Sequence, residues 1–500
     1  MFKKWKMTAG LLACVLALST LITACGNAEP QGTDNANQEK SEPYELSMAF
    51  ITFGNLTDLA LVQDEINKIT KEKINATVKL TAVNISAWNQ QINLLLAGSE
   101  KLDLIVSSSL FNYNTQVAKG QLLPLDELID KYGEGIKKAV AQEYLDGTKI
   151  SGKIYGVPSM RDLAGDYGFI MRKDLVDKYH IDVNQIKTFN DLEPVLKTIK
   201  ENEPGIAPLV QQTQGQSVAD VMLGASFDSL GDGFGVLPGL DNNLKVENYF
   251  ETKEYVDTLA LIRKWYQSGY ILKDIATSQE TGQNLVKSDK AFGYVANMKP
   301  GYEVQESRAV GKEMVAVRLT KPTTSTGGIT AFMMSISKNS GNPDKAMQFL
   351  NLMYSDPAIV NLLDNGIEGK HYVKKSESMI AMPDGATQTG YMFNQWEIGN
   401  NYLSYVWEGE DPQIWEKMQA FNKSAVRSKA MGFTFDANPV KTEIAAVTNV
   451  MNQFRVGLET GTLDPAANLP EFNNKMKAAG LDKIIAEKQK QLDAWAQASK

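Results

Sequence analysis

Apolar and polar residues alternate in two different periods along the chain from Tyr44 onward. The stretch YELSMAFITF predicts a strand. The apolar residues Leu59, Val62, Ile66 and Ile69 that follow repeat every three or four positions, which is the period of a helix with one buried face. The stretch ATVKLTAV then predicts a second strand. The first part of the chain is therefore predicted to form a strand, a helix and a strand in that order.

The same alternation continues through a second helix and a third strand. Ser86 is predicted to cap a helix that contains Trp88 and Ile92 and ends at Gly98. The next stretch, LDLIV (Leu102 to Val106), is nearly all apolar, as expected of a strand that is buried on both faces. Strands and helices that alternate in this way predict an open, largely parallel sheet flanked by helices.

Two later stretches predict that the chain crosses between two bodies. KIYGVP and YGFIMR, both between Gly152 and Tyr179, are strand-like pieces on either side of a polar segment, and they predict a crossing into a second body. Residues 190–300 carry further helices, of which LIRKWYQSGYI is the clearest, and strands such as AFGYVAN. A Gly-Gly pair followed by an apolar strand between Thr323 and Ser337 predicts the return crossing.

The last third of the chain is predicted to be mainly helical. Pro343 and Pro357 each suit the first turn of a helix, where a missing N–H group has no partner to lose. After Asn438 and Pro439, apolar residues recur at three-four spacing as far as Leu458. This pattern predicts a long amphipathic helix in the C-terminal region.

The N-terminus has the layout of a signal peptide. Three lysines in the first six residues precede an apolar run from Ala9 to Ile22, which is too short to span a bilayer comfortably. The residues ITA before Cys25 resemble the lipobox that bacterial lipoprotein signal peptidase cleaves. This resemblance implies that residues 1–24 are removed and that Cys25 carries a diacylglycerol. An ordinary secretory peptide with an incidental cysteine is the alternative.

The composition of the mature chain limits its partners. Residues 25–43 hold no large apolar side chain and predict a flexible tether with a typical span of about 25 Å. Removing the signal peptide takes away three lysines and shifts the formal net charge from −8 to −11, which argues against binding nucleic acid or anionic lipid. One cysteine remains, and because an acylated cysteine cannot form a disulfide, the fold must rest on a hydrophobic core. Two histidines leave few ligands for zinc, and we predict no metal and no cofactor.

Several segments of the mature chain resemble the extracellular solute-binding lipoproteins of ABC importers. They are the lipobox, KIYGVP…YGFIMRKDLVDKY, NPDKAMQFLNLMYSDPAIVNLLDNGIEGKHY and GFTFDANPVKTEIAAVTNV. The closest group is the sugar-type (family 1) lipoproteins with an uncharacterised C-terminal domain, as in Bacillus and Paenibacillus. The resemblance implies an α/β type II periplasmic-binding-protein-like fold, with two lobes, hinge crossings and a helical C-terminal region. Lobe one would comprise residues 44–160 with 329–390, and lobe two residues 165–327 with 400–500.

The resemblance also implies a role. The chain would be a monomer, lipid-anchored at the extracellular face of the cell membrane, that captures an oligosaccharide and delivers it to ABC permease subunits with a separate ATPase. It would not be an enzyme.

The stretch GTKISGK, which begins at Gly147, has the spacing of a phosphate-binding loop, but Ile154 stands where that motif needs a hydroxyl, so we predict a turn.

Two alternatives stay open on the residues alone. The solute could be a peptide or another non-sugar molecule, since a polar and aromatic cleft suits these too. The chain could also be a surface glycoside hydrolase, which needs two acids about 5–10 Å apart across a cleft. Asp162 and Asp166 flank the first predicted crossing and are candidates for such a pair, although acids there serve equally well as hydroxyl acceptors.

A cleft for a sugar needs flat aromatic rings for the apolar faces of the sugar and planar polar groups for its hydroxyls. Open α/β sheets bind ligands at the carboxyl ends of their strands and where the chain crosses between bodies. Trp265 lies at helical spacing and is predicted to belong to the core, whereas Trp396 and Tyr167 are the strongest aromatic candidates. The predicted ligand-binding residues are Asn55, Ser108, Tyr113, Arg161, Asp162, Tyr167, Gln212, Asn297, Glu368 and Trp396.

Overall fold

The strands and helices are taken from a computed structural model, which describes residues 42–54, 56–213 and 217–498. The predicted signal peptide, the tether up to residue 41, the predicted lipidation site Cys25 and the predicted ligand-binding residue Asn55 lie outside the described residues.

The described strands are short apart from four. They are β1 Tyr44–Thr52, β2 Ala76–Asn84, β3 Leu104–Ser107, β4 Lys149–Ile150, β5 Lys153–Ile154, β6 Val157–Pro158, β7 Asp166–Arg172, β8 Ala207–Val210, β9 Phe227–Asp228, β10 Gly235–Pro238, β11 Glu247–Asn248, β12 Ala291–Met298, β13 Met314–Arg318, β14 Thr323–Thr324, β15 Met333–Ile336, β16 Val373–Lys374, β17 Met379–Ala381, β18 Val406–Trp407 and β19 Val426–Arg427.

The helices include three long ones at the C-terminal end. They are α1 Leu59–Ile74, α2 Trp88–Ala97, α3 Tyr113–Ala118, α4 Asp126–Tyr132, α5 Glu134–Ala139, α6 Gln142–Asp146, α7 Lys173–Lys178, α8 Leu192–Asn202, α9 Val218–Met222, α10 Lys253–Gln267, α11 Gly282–Lys287, α12 Tyr302–Val310, α13 Thr326–Thr330, α14 Pro343–Ser355, α15 Pro357–Asn365, α16 Ile414–Ser424, α17 Lys441–Glu459, α18 Pro465–Ala478 and α19 Leu481–Ala498.

The first large sheet has the strand order β2-β1-β3-β15-β6. Strand β1 runs parallel to both β2 and β3, which confirms the predicted β-α-β-α-β unit, and β15 is antiparallel to β3 and β6. Strand β1 has a neighbour on each edge, and its residues from Met48 to Ile51, whose side chains alternate between the two faces, are fully buried, as expected for a parallel sheet covered on both faces. Around this sheet, one apolar cluster joins residues between 46 and 163 with residues between 329 and 398.

The second large sheet has the strand order β13-β7-β12-β8. Strand β7 is antiparallel to both of its neighbours, and β12 is parallel to β8. A second apolar cluster surrounds this sheet and includes Trp265, which is fully buried, so the prediction that it belongs to the core is confirmed. Helices α17, α18 and α19 place Phe454, Phe472 and Leu492 in the same cluster.

Three adjacent segments connect the two sheets. The first is residues 159–165 and the second is residues 319–332, and Gly165 and Thr323 exchange two backbone hydrogen bonds of 3.0 and 2.9 Å between them. Strand β19 pairs in parallel with β14 as a third segment. The Asn422 side chain, on α16 just before β19, accepts from the N–H groups of residues 163 and 164. The first two crossings were predicted near these places, whereas the predicted lobe boundaries imply a third crossing earlier in the chain, between residues 390 and 400.

Local sequence signals were confirmed at most of the positions where they were strong. Pro343 and Pro357 occupy the first turns of α14 and α15. The stretch GTKISGK contains β4 and the turn that leads into β5, with Gly152 at φ 79°. The prediction for Ser86 was wrong, because the Asn84 side chain caps a short 3-10 turn over Ile85–Ala87 and Ser86 lies inside that turn. Within the described ranges, no helix is long and apolar enough to cross a membrane.

Candidate functional site

Four of the predicted residues surround one cavity of about 250 Å³ at the crossing segments. Arg161 and Asp162 come from the first segment, and Tyr167 and Asn297 come from the adjacent ends of β7 and β12, where they face each other in the strand register. The remaining lining residues include Gly224, Phe227, Leu240, Thr323, Thr324, Ser325, Gly328 and Ala331.

Arg161 and Asp162 form a charged pair at the edge of this cavity. The Arg161 Nη1 donates to the backbone oxygen and to the Oδ1 of Asp162 at 2.7 and 2.9 Å, and Lys299 lies 3.5 Å from Oδ2. Burial opposes the charge on Asp162, but Lys299 and Arg161 outweigh it and hold the pKa of this carboxyl below its usual value. At neutral pH, Asp162 is therefore an ionised hydrogen-bond acceptor.

Two glycines leave space for the side chains of Tyr167 and Asn297 in this cavity. A Cβ at Gly224 would lie 2.2 Å from the Tyr167 ring, and a Cβ at Gly165 would lie 2.4 Å from the Asn297 Oδ1. Any larger residue at either position would therefore displace a cavity side chain. Burial raises the pKa of the Tyr167 phenol, which keeps it protonated and able to donate.

A row of aromatic rings runs beside this charged pair. The Phe332 ring is 5.7 Å from the Arg161 guanidinium and 4.5 Å from the Trp396 ring, and Phe53 lies 5.9 Å beyond Trp396. Phe111 meets the other side of Phe332 at 6.4 Å. Trp396 is half-buried and Phe53 is 57% exposed, so the row presents apolar surface to solvent. We name Phe53, Trp396, Phe332 and Phe111 the aromatic row.

The other predicted residues within the described ranges, Trp396 among them, do not line the cavity around Tyr167. Ser108 and Tyr113 are buried, where Ser108 accepts from the N–H of residue 110 and the Tyr113 hydroxyl donates to the Thr148 carbonyl. Gln212 donates to the Tyr302 hydroxyl at 3.0 Å, and the exposed Glu368 lies 3.2 Å from Lys374. The strand-end argument placed Ser108 and Tyr113 correctly along the chain, but both side chains already have partners inside the protein.

The acids considered for hydrolysis are also occupied. Asp166 is 2% exposed, and both of its oxygens accept from the Arg318 Nη1 at 2.7 and 2.8 Å. Asp162 has Arg161 and Lys299 as partners. Neither acid is placed as a free general acid or base, which requires a carboxyl within reach of the substrate proton.

A buried acid lies directly behind the aromatic row. Glu397 is fully buried, and its Oε2 accepts from the Ile51 N–H at 2.9 Å, which ties the end of β1 to the segment that carries Trp396. Burial raises the pKa of Glu397 well above its usual value, and no described cation pairs with it.

Replacing Glu397 with Gln is expected to reduce the loss of stability that the wild type shows as pH rises from about 5 to 8. Because the folded-state pKa lies above the unfolded value of 4.5, the folded protein keeps a proton that the unfolded chain releases. This contribution is complete below the unfolded pKa and is lost as pH rises toward the folded pKa. Asp364, whose pKa burial also raises, leaves a residual slope. Melting temperatures at pH 5 and pH 8 measure the effect, with the exposed Glu368→Gln as control. Parallel pH profiles for wild type and Glu397→Gln would contradict this assignment.

Comparison with known proteins identifies the family. Residues 54–359 match the family model described as bacterial extracellular solute-binding protein, which covers more than half of the chain. The chain belongs to the family of bacterial extracellular solute-binding proteins. Residues 429–497 match a domain of unknown function (DUF3502).

This solute-binding protein is similar to several known proteins over almost its whole length. It is 30% identical over 501 residues to a carbohydrate ABC transporter substrate-binding protein of Streptococcus pneumoniae, which covers 99% of both chains. It is 24% identical to lipoprotein LipO of Bacillus subtilis, over 97% of this chain and 91% of LipO. The crystal structure of the N-glycan transport solute binding protein NgtS of Streptococcus pneumoniae shares 29% identity with a TM-score of 0.82, over 91% of this chain and 100% of NgtS. For the complex of NgtS with Man5GlcNAc the TM-score is 0.68, over 91% and 99%.

These findings confirm the predicted family, the periplasmic-binding-protein-like fold with its helical C-terminal region, and the role of an extracellular solute-binding protein of ABC import. The protein binds a solute and is not an enzyme. The exact lobe boundaries remain a prediction. Residues 400 and 401, at the predicted start of lobe two, form backbone hydrogen bonds with residues of the first apolar cluster. Asn400 and Asn401 donate through their backbone N–H groups to the carbonyls of Met353 and Met160, which belong to the first apolar cluster.

Proposed function

We propose that this protein captures an oligosaccharide at the crossing segments and delivers it to the permease subunits of an ABC importer. The observation that carries the proposal is the meeting of Arg161, Asp162, Tyr167 and Asn297 around one cavity, next to the aromatic row. These side chains offer a guanidinium, a carboxylate, a phenol and an amide. Together they can donate to and accept from sugar hydroxyls in fixed directions, while the rings cover the apolar faces of a sugar.

The similar proteins support a carbohydrate as the solute. The Streptococcus pneumoniae relative is named for carbohydrate transport, and NgtS has been solved with Man1GlcNAc and with Man5GlcNAc. The TM-score to NgtS is 0.82, and it is 0.71 and 0.68 to these two complexes. This chain therefore superposes to different extents on three structures of the same protein. Movement of the two lobes of NgtS about their crossing segments would produce such a difference, so these values support capture of the solute by closure of the lobes.

We also propose that the protein is held at the extracellular face of the membrane by a lipid on Cys25. The lipobox resemblance, the polar tether after it and the similarity to lipoprotein LipO support this anchor. The protein would act as a monomer and hand its solute to separate permease subunits, which a separate ATPase energises.

Soluble protein that begins at Gly26 is expected to respond to a neutral oligosaccharide in two ways. Its tryptophan fluorescence should change and saturate, because Trp396 packs against Phe332, whose ring faces Arg161 at the cavity. Its melting temperature should rise. A ligand at 100 times its Kd stabilises by about 2.7 kcal/mol. Trp396→Phe serves as the matched control, since it should lose most of the fluorescence change and keep the thermal shift. No response to any member of a broad glycan panel, with a response to peptides, would overturn the proposal.

A further inference from the structure

A second cavity, of about 630 Å³, adjoins the one at the crossing segments. The two share Tyr167, Gly224 and Phe227, so they meet at the same tyrosine. The first cavity, at about 250 Å³, is smaller than the roughly 300–1,000 Å³ of ordinary ligand pockets. An oligosaccharide therefore needs the second cavity as well.

The domain of unknown function supplies one wall of this second cavity. Phe433, Phe435, Met451 and Arg455 line it and all lie within residues 429–497. The segment that follows β3 and the second crossing segment also line it, through Ser109, Leu110, residues 325–328 and Thr330. The domain is thus part of the cleft wall rather than an appendage.

We propose that this second cavity is a sugar subsite built on the domain of unknown function, and that it takes uncharged, hydroxyl-rich sugar units. The inference rests on the proposed function and adds to it a chemical class of solute and two specificity-determining residues, Arg455 and Asp228.

Arg455 is held in position by two carboxylates. Its Nε donates to both oxygens of Glu459 at 3.0 Å, and its Nη2 contacts Asp220 Oδ1. Glu459 is fully buried, whereas the Arg455 side chain is 30% exposed. The bonds to the described residues use Nε and Nη2, which leaves the Nη1 hydrogens for a solute. A guanidinium fixed in this way binds a sugar oxygen without losing side-chain freedom.

Asp228 offers an acceptor that has no partner. This residue is 4% exposed, and its Oδ1 accepts from the Leu230 N–H at 3.0 Å. Its Oδ2 is buried and has no hydrogen-bond partner among the described residues. Leaving a buried carboxylate oxygen without a donor is unfavourable, and a sugar hydroxyl in the cavity would supply that donor.

The charges around the cavity exclude an acidic sugar. Three carboxylates line it, from Asp220, Asp228 and Asp232, and Arg455 is the one cation among the described lining residues. Lys488 contacts Asp232 from within the core and is fully buried, so it cannot reach a solute. Asp220 pairs with Arg455 and Asp232 pairs with Lys488, so Asp228 is the lining carboxylate that has no ion pair among the described residues. At ordinary separations we expect its charge to weaken binding of a uronate roughly threefold to tenfold.

Calorimetric titration of the protein that begins at Gly26 tests the subsite with two probes, the uncharged glycan Man5GlcNAc and the acidic trimer of galacturonate. We expect the wild type to prefer the uncharged probe. Arg455→Lys keeps the charge but loses the forked geometry, and it should weaken binding of the uncharged glycan about tenfold. Asp228→Asn should weaken binding of the uncharged glycan and strengthen binding of the acidic trimer. Lys483→Gln, on the same domain and 74% exposed, is the control and should change neither.

The outcomes separate the subsite from the proposed function. If the wild type binds the glycan but both variants, with wild-type melting temperatures, bind it equally well, the subsite is wrong and the proposed function stands. Tighter wild-type binding of the galacturonate trimer would overturn the inference that the solute is uncharged. If no glycan binds the wild type, the proposed function fails and the subsite fails with it.

Discussion

Replacing Asp232 with Ala is expected to lower the free energy of unfolding by about 3 kcal/mol at pH 7. Lys488 on α19 is fully buried, contacts the Asp232 Oδ1 and donates to the Gly235 carbonyl at 2.9 Å. Removing the carboxylate leaves a buried ammonium with one neutral acceptor. Breaking a buried pair on one side costs about 3–5 kcal/mol, and the partial exposure of Asp232 places this case at the lower end.

The loss of unfolding free energy in Asp232→Ala should shrink as pH rises from 7 toward 10. Burial lowers the pKa of Lys488, and Asp232 opposes that effect, so the variant lowers this pKa further. At a pH between the folded-state and the unfolded-state pKa of Lys488, the unfolded chain holds a proton that the folded chain has released. Stability therefore rises with pH in this range.

Urea unfolding of wild type and Asp232→Ala at pH 7 and pH 10 measures both effects. Asp241→Ala is the matched control, because its partner Lys429 is 53% exposed and the pair is solvated. Equal, small effects of the two substitutions would show that Lys488 does not depend on Asp232.

Replacing Trp396 with Ala is expected to weaken oligosaccharide binding about tenfold. Stacking of an aromatic ring contributes about 0.5–1.5 kcal/mol beyond the area that it buries, and 1.4 kcal/mol corresponds to a factor of ten in Kd. The Trp396 ring is held by Phe332 at 4.5 Å and Phe53 at 5.9 Å, so it is oriented before the sugar arrives.

Calorimetric titration with Man5GlcNAc measures this loss. Trp415→Ala is the matched control, since Trp415 is also half-buried but donates to the Ser404 carbonyl, away from the row. It should lower stability and leave the affinity unchanged. Wild-type affinity in a folded Trp396→Ala variant would remove Trp396 from the site.

Much of the fold could be predicted because its signals are local. The parallel unit around β1 follows from residue periods within about sixty positions, and the cavity around Tyr167 follows from two strand-like pieces that flank a polar turn. No sequence pattern indicated the position of the third crossing, because β19 is two exposed residues long and has no period.

The rest of the site depends on contacts between distant parts of the chain. Phe332 and Trp396 lie 64 positions apart, and no pattern in either segment indicates that their rings meet. Arg455 occupies an amphipathic helix, where its spacing is the same as that of an ordinary solvent-facing residue. Tyr113 follows a strand, as a ligand-binding residue would, yet its side chain packs in the core. Side-chain direction is thus set by tertiary packing.

Hydrogen exchange of the backbone amides, measured with and without saturating Man5GlcNAc, tests the central claim most directly. We predict protection in residues 161–167, in residues 323–332, in residues 395–397, which carry Trp396, and at the second cavity in residues 227–235, 433–435 and 451–455. Amides far from both cavities should be unchanged. Protection confined to other segments, or none at a glycan concentration that saturates binding, would contradict capture of an oligosaccharide at the crossing segments.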